Sequence, residues 1–362
     1  MAPLSAAARR AVVVSPDPNS STGGTERVCR QVAEVLARAG FEVTLLGPGG
    51  PAPTWVARQG GTLLWQAGSF RRAVRRREPR PDLVITVGPW GWPGPRRPPR
   101  IHVYVSNLVR LARHQPARWH WRARWALASG LAEALAARGA TAVAISEQTA
   151  EDARRLYRAD VARVVHLGVD TELFRPRDRG EARRRLGLRA DARYGLFVGR
   201  AEPAKGLAVA LDACRQVGWE LVAVGSGPVP GSRALGVLPP EELAWAYAAA
   251  DAAVLPSAYE GWHMAVGEAL AAGVPAVTTP VGWARELGRR VPAYRPFVVP
   301  RQAPAVAAAL RRVEAGEAEE AVAAGRALVL AEHTAAAFER RWRDLLADMG
   351  LLPAEEADAG GE

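Results

Sequence analysis

Residues 11–46 read AVVVSPDPNSSTGGTERVCRQVAEVLARAGFEVTLL, and this stretch decides the fold class. Ala11 to Val14 is a short β-branched apolar run that stops at Ser15-Pro16, as a buried strand does. A loop of Pro, Asn, Ser and Gly follows. Val28, Val32, Val35 and Leu36 then fall on one helical face, closed by Gly40. Glu42 to Leu46 is a second strand. Strand, loop, helix and strand in about 35 residues make a βαβ unit, which implies a parallel sheet covered by helices. Further strands are expected at Leu83–Val87, Ile101–Val105 and Ala142–Ile145.

The pattern restarts after a connector-like stretch, Val164 to Pro176, and a short charged helix from Glu181 to Leu186. Gly195–Val198, Glu220–Val224, Ala252–Leu255 and Val274–Thr278 read as strands. Leu207–Gln216, Glu241–Ala250 and Ala265–Ala272 read as helices. The expected fold class is therefore α/β, with two Rossmann-like parallel-sheet domains facing an interdomain cleft that would hold a ligand at the strands' carboxyl ends. The expected boundaries are 1–165 for the first domain and 166–335 for the second. A helix over 336–352 is expected to pack back toward the first domain, ahead of a small, acidic, disordered tail over 353–362.

A chain of 362 residues is about the size of two domains. No run of 18 apolar residues exists, so a spanning helix is excluded. The N-terminus lacks the apolar core of a secretory signal. The two cysteines, Cys29 and Cys214, build neither a disulfide framework nor a zinc site, and the expected compartment is the cytoplasm. Charge is uneven. Residues 1–180 carry 28 Arg against 14 Asp and Glu, whereas 181–362 carry 20 Lys and Arg against 23. A basic first half suits an anionic partner; an arginine-rich genome explains the same balance without one.

Common catalytic signatures are missing: no GxxxxGK[ST], HExxH, GxSxG or Asp-x-Asp occurs, and no GxGxxG follows the first strand. Two strand-to-helix loops stand out instead. Gly199-Arg200-Ala201-Glu202-Pro203-Ala204-Lys205-Gly206 offers backbone N–H groups, the guanidinium of Arg200 and the ammonium of Lys205 to phosphate oxygens. Lys205 is the one lysine of the chain, beside 47 arginines. The second loop runs from Pro256 to Ala269, with Glu260 in the loop and Glu268 inside the following helix; such carboxylates accept hydroxyl hydrogen bonds from a ribose or a hexose. A surface turn with two ordinary cations, and a glutamate steadied by a helix dipole, are the plain alternatives.

These loops, the stretch Ala248-Ala249-Ala250-Asp251-Ala252-Ala253-Val254-Leu255-Pro256-Ser257, and the Glu260-x7-Glu268 spacing resemble the retaining GT-B glycosyltransferases of family 4. Gly23-Gly24-Thr25-Glu26 resembles that family's N-terminal glycine loop. Ala144-Ile145-Ser146-Glu147 and Gly168 to Pro176 resemble its linking signatures. The resemblance covers residues 11–345. It implies a nucleotide-diphosphate sugar as donor substrate, no cofactor and no bound metal. Arg200 and Lys205 would hold the diphosphate, Glu268 the ribose, and Glu260 would sit by the sugar. Gly199 and the stretch Gly261, Trp262, His263, Met264 and Ala265 would border the donor, Val237 and Leu238 would meet the base, and Gly23 and Gly24 would face donor phosphates and acceptor. His263 and Ala265 depart from the family's usual residues, and His263 either touches the donor sugar or packs. Ser106 and Asn107 stand where the family often has a histidine, and are the acceptor-side candidates; His102 falls too early in its strand.

Residues 110–128 read RLARHQPARWHWRARWALA. Arginines among Trp119, Trp121 and Trp125 suit an anionic lipid surface and, equally, stacking and phosphate contacts on single-stranded nucleic acid; a packed helix with a solvated basic face is the plain alternative to both, and of the two partners the membrane comes first. The acceptor expected from the resemblance is a glycan or a lipid-linked molecule, reached from the inner face of a membrane. No module for nucleic acid is visible.

Overall fold

The computed structural model describes residues 9–17, 24–47, 62–77, 79–90, 98–106, 108–114 and 118–353, with the backbone alone at 62–67, 108 and 111. They fall into two compact units, one drawn from 1–112, 117–166 and 338–362, the other from 113–116 and 167–337.

The first unit holds six parallel strands in the order β2-β1-β3-β4-β5-β6. They are β1 (Arg9–Val14), β2 (Phe41–Leu46), β3 (Leu83–Val87), β4 (Arg100–Tyr104), β5 (Thr141–Ala144) and β6 (Val161–Val164). Ala11 to Val14 are all buried, as expected where helices cover both faces of a sheet. The helix Gly24–Arg38 lays Val28, Val32, Val35 and Leu36 on that core. It ends where Gly40, at φ +86, donates its N–H to the Ala37 carbonyl. On β4, His102 is fully buried. Its Nδ1 stands 2.9 Å from Thr86 Oγ1, and its ring meets Tyr104 edge-on at 4.6 Å. Burial, helped by Arg100, lowers its pKa to about 3. This histidine is core.

The helix Trp119–Ala137 buries small residues and one carboxyl, Ser129, Ala132, Glu133 and Ala136, while Trp119 and Leu127 are each 75% exposed, with Trp121 and Leu131 also exposed. Trp125 is half-buried. Burial alone holds the Glu133 carboxyl well above the usual carboxylate range. No helix among the described residues is long and apolar enough to cross a membrane. The end of the last helix, Ala335–Asp348, joins this unit through ion pairs of Glu339 with Arg38 and of Asp348 with Arg163.

The second unit holds five parallel strands in the order β11-β10-β7-β8-β9. They are β7 (Tyr194–Val198), β8 (Glu220–Val224), β9 (Arg233–Gly236), β10 (Ala252–Leu255) and β11 (Ala276–Thr278). The chain starts at β7, winds outward through β8 to β9, and returns to the other side of β7 with β10. Strand order therefore reverses between β7 and β10, and such a switch point opens a crevice at the strands' carboxyl ends. At their opposite end the buried Asp251 accepts from Arg183 at 2.8 Å, Arg193 at 3.0 Å, Arg179 at 3.1 Å and the Tyr194 N–H at 2.7 Å. Asp251 thus fixes the base of β7 and β10.

Sequence reading missed β6 and β9. The charged helix expected at Glu181–Leu186 lies at Arg179–Arg185.

Candidate active site

Two loops leave the switch point side by side, one after β7 and one after β10. They are joined backbone to backbone. The Ala258 N–H donates to Ala204 O at 2.7 Å, and Arg301 donates to both Pro256 O and Pro203 O. Gly206, at φ +79, closes the first loop, and a Cβ there would stand 2.2 Å from Pro256 O. Gly199, at φ +151, opens it; its carbonyl oxygen would lie 1.9 Å from a Cβ on Gly225. Glycine is required at 206 and 225 because backbone occupies the space of a side chain.

This junction brings Lys205 to Glu260. Lys205 Nζ donates to Glu260 Oε1 at 2.7 Å, and Ser257 Oγ donates to the same oxygen at 2.7 Å. His263 Nε2 stands 3.8 Å from it. Burial on its own would raise the Glu260 pKa. The Lys205 ammonium, His263 and the two hydrogen bonds outweigh it and hold the carboxyl at about 2. Burial likewise lowers His263 to about 4, with Glu260 opposing and Lys205 adding to the shift. At neutral pH the cluster is an ammonium–carboxylate pair beside a neutral imidazole.

The helix Met264–Ala271 starts directly after His263, and Pro256 to His263 forms the turn into it. Glu268, on that helix, is buried, and its Oε2 accepts from Tyr247 Oη at 2.8 Å. Tyr247 lies on the helix Pro240–Ala249. Arg200 is largely exposed and pairs with Glu202 at 3.1 Å. Gly261 and Met264 are half-buried and Ala265 buried. The Trp262 side chain is core: it stacks on Trp283 at 5.0 Å, so its backbone is what it offers a ligand. Val237, exposed, and Leu238 follow β9 directly. Gly24 opens its helix with nothing within 4 Å of a Cβ, and Ser106, half-buried, follows β4. Gly23 and Asn107 lie outside the described residues.

Sequence reading missed Ser257, Tyr247, Thr278 and Arg301. A hydroxyl at the end of the apolar strand β11 was the available signal for Thr278: its Oγ1 donates to Leu255 O at 3.1 Å and meets His263 Nδ1 at 3.4 Å. Among the described residues no group of three His, Cys, Asp or Glu is placed to hold a metal ion.

An ammonium paired with a carboxylate at a switch point, on loops that also carry an exposed guanidinium and lead into helices, suits a phosphorylated sugar compound. Comparison with known proteins agrees. Residues 22–173 match the family model described as Glycosyltransferase Family 4, and residues 192–316 the one described as Glycosyl transferases group 1. A 159-residue match at 36% identity to the D-inositol 3-phosphate glycosyltransferase of Mycobacterium marinum covers 37% of this chain and 34% of that one. The chain thus spans about a third of the length of the curated relatives it matches. In fold it is similar to a sucrose-phosphate synthase from Thermosynechococcus elongatus, with a TM-score of 0.76 and 22% identity over 94% of this chain and 99% of that one. It is also similar to Anabaena HepE, solved with UDP-glucose, with a TM-score of 0.69 and 16% identity over 94% and 99%. With the two family models matched in tandem, one on each parallel-sheet unit of a GT-B fold, the chain belongs to the group 1, family 4 glycosyltransferases.

Proposed function

We propose that the protein moves a sugar from a nucleotide-diphosphate sugar to an acceptor hydroxyl with retained anomeric configuration. The observation that carries this reading is the meeting of Lys205 and Glu260 at the β7–β10 switch point, with Glu268 on the helix that follows. Lys205 and Arg200 serve the diphosphate. A cation at the leaving group gains strength as negative charge develops there, which favours the transition state over the ground state. Glu268 serves the ribose and Glu260 the sugar. These two cations supply the electrostatic work, so turnover persists in excess chelator. Attack comes from the face the diphosphate leaves, assisted by the departing oxygen. No cofactor takes part.

The acceptor belongs to a cell-envelope or polysaccharide glycan and is presented at an anionic membrane surface on the cytoplasmic side. Support comes from the exposed Trp119, Trp121, Leu127 and Leu131 among the arginines of the first unit. Aromatic and aliphatic side chains insert while arginines meet headgroups.

The deciding experiment is a panel of UDP-, GDP-, ADP- and TDP-sugars measured by calorimetry, then by turnover with glycan and lipid-linked acceptors. Binding of one nucleotide class with sugar transfer supports the reading. Conversion of donor without acceptor would make the protein an epimerase, and tight binding without turnover on any acceptor a binding protein.

A further inference from the structure

His263 is buried at φ +80, a backbone conformation that glycine adopts freely and a histidine does not. Among the described residues the one other non-glycine at positive φ is Arg158, which ends a helix, where left-handed backbone is common. His263 precedes a helix, and its side chain makes no cap hydrogen bond there. The ring's other contacts therefore carry the explanation. Thr278 Oγ1 has a single proton and donates it to Leu255 O, so toward His263 Nδ1 it is an acceptor. The imidazole proton then sits on Nδ1. With the ring neutral, Nε2 carries a lone pair, 3.8 Å from Glu260 Oε1. Glu260 Oε1 already takes hydrogens from Lys205 Nζ and Ser257 Oγ, so the acceptor left to serve beside that pair is the Nε2 lone pair of His263. A sugar hydroxyl donates to such an acceptor, and the neighbouring hydroxyl on the ring reaches the Glu260 carboxylate.

We propose that His263 is a sugar-recognition residue: with Nδ1–H anchored on Thr278, its Nε2 lone pair accepts a hydroxyl hydrogen from the donor's sugar, next to the hydroxyl taken by Glu260. This rests on the reading of the site as a nucleotide-sugar pocket. It assigns the strained residue to the sugar half of the donor and leaves the nucleotide half to Arg200, Lys205 and Glu268.

Two measurements test it. In 15N-labelled protein at pH 7, two-bond proton–nitrogen correlations of His263 show the proton on Nδ1; a proton on Nε2 overturns the assignment. Calorimetry then compares UDP with UDP-glucose, or the matching pair from whichever nucleotide class the protein binds. His263→Gly relieves the strained backbone but leaves a buried cavity, so its Tm is read first to show that the variant is folded. It binds the nucleotide sugar roughly tenfold more weakly, as one lost hydrogen bond gives, and the free nucleotide as the wild type does. Equal loss for both ligands, or loss for neither, overturns the proposal. A wild-type protein that binds no member of the panel instead defeats the proposed function, and this assignment with it.

Discussion

Each unit buries one histidine against a threonine, and the two arrangements match in their hydrogen bonds. His102 meets Thr86 Oγ1 and His263 meets Thr278 Oγ1, each through Nδ1, and each threonine faces a carbonyl on a neighbouring strand. Both rings are held neutral by burial. What differs is the other side of the ring. His102 lies inside β4 with Tyr104 edge-on and relaxed extended backbone. His263 lies in a turn, in left-handed backbone, facing an ammonium–carboxylate pair. Burial and a lowered pKa thus mark both histidines equally and do not identify the functional one. Strain together with charged neighbours does.

The largest effect that would break this contrast is expected at the charged cluster. Lys205→Ala should lower turnover by roughly 10²-fold or more, measured as kcat/KM with the donor found in the panel. Lys205→Arg should recover part of it, since a planar fork replaces a compact ammonium. The variant also leaves Glu260 buried without its cation. Lys205→Met combined with Glu260→Gln should restore thermal stability and not activity. Full turnover in Lys205→Ala would make the cluster as structural as His102.

Next in size is the core histidine. His102→Ala should cost about 2 kcal/mol or more, by loss of the Tyr104 contact and the cavity left, read as a shift in urea midpoint with donor affinity unchanged. A change in donor affinity would place His102 in the site.

The pH dependence is smaller. An unfolded histidine titrates near 6.5, against about 4 for folded His263 and about 3 for His102. Between these values the unfolded chain takes up protons that the folded chain refuses, so stability falls as pH drops below about 6.5. At pH 5 each histidine should remove roughly 1 to 2 kcal/mol, and His263→Gly should flatten the urea-midpoint profile between pH 7 and 5. Glu260 acts lower: its contribution, present above the ordinary carboxylate pKa, disappears as pH falls through about 2.

The smallest effect concerns the surface of the first unit. Arg124→Gln should weaken sedimentation with anionic vesicles by about fivefold at low salt, the worth of about 1 kcal/mol for one cation at a charged surface. Salt should weaken it further, while a residual binding that depends on Trp119 and Leu127 should survive. Equal binding to neutral and anionic vesicles, or none to either, would remove the membrane.

Much of this was legible in the chain. Continuous apolar runs place Ala11–Val14 and most later strands, because parallel strands are buried on both faces, and a period-3.6 pattern places the helix with Val28 and Leu36. The β9 strand, Arg-Ala-Leu-Gly, lies at a sheet edge, mostly exposed, and carries no such run. The loop chemistry was legible in Lys205, Glu260 and Glu268. What held it in place was not: Tyr247 reaches Glu268 from another helix, and Thr278 reaches His263 across β10 and β11. Partners brought together by crossover connections leave no local spacing to read. Nor did Trp262 declare itself as core rather than pocket, since an aromatic in a loop has both uses.

The joining of the two loops through Ala204 O, Pro203 O and Pro256 O has a consequence for engineering. Neither loop can be lengthened or transplanted alone: an insertion before Gly206 would push against Pro256 O and tilt Glu260 away from Lys205. A graft that alters what the pocket accepts has to carry residues 199–206 and 256–263 as one cassette, with Arg301 as its clasp.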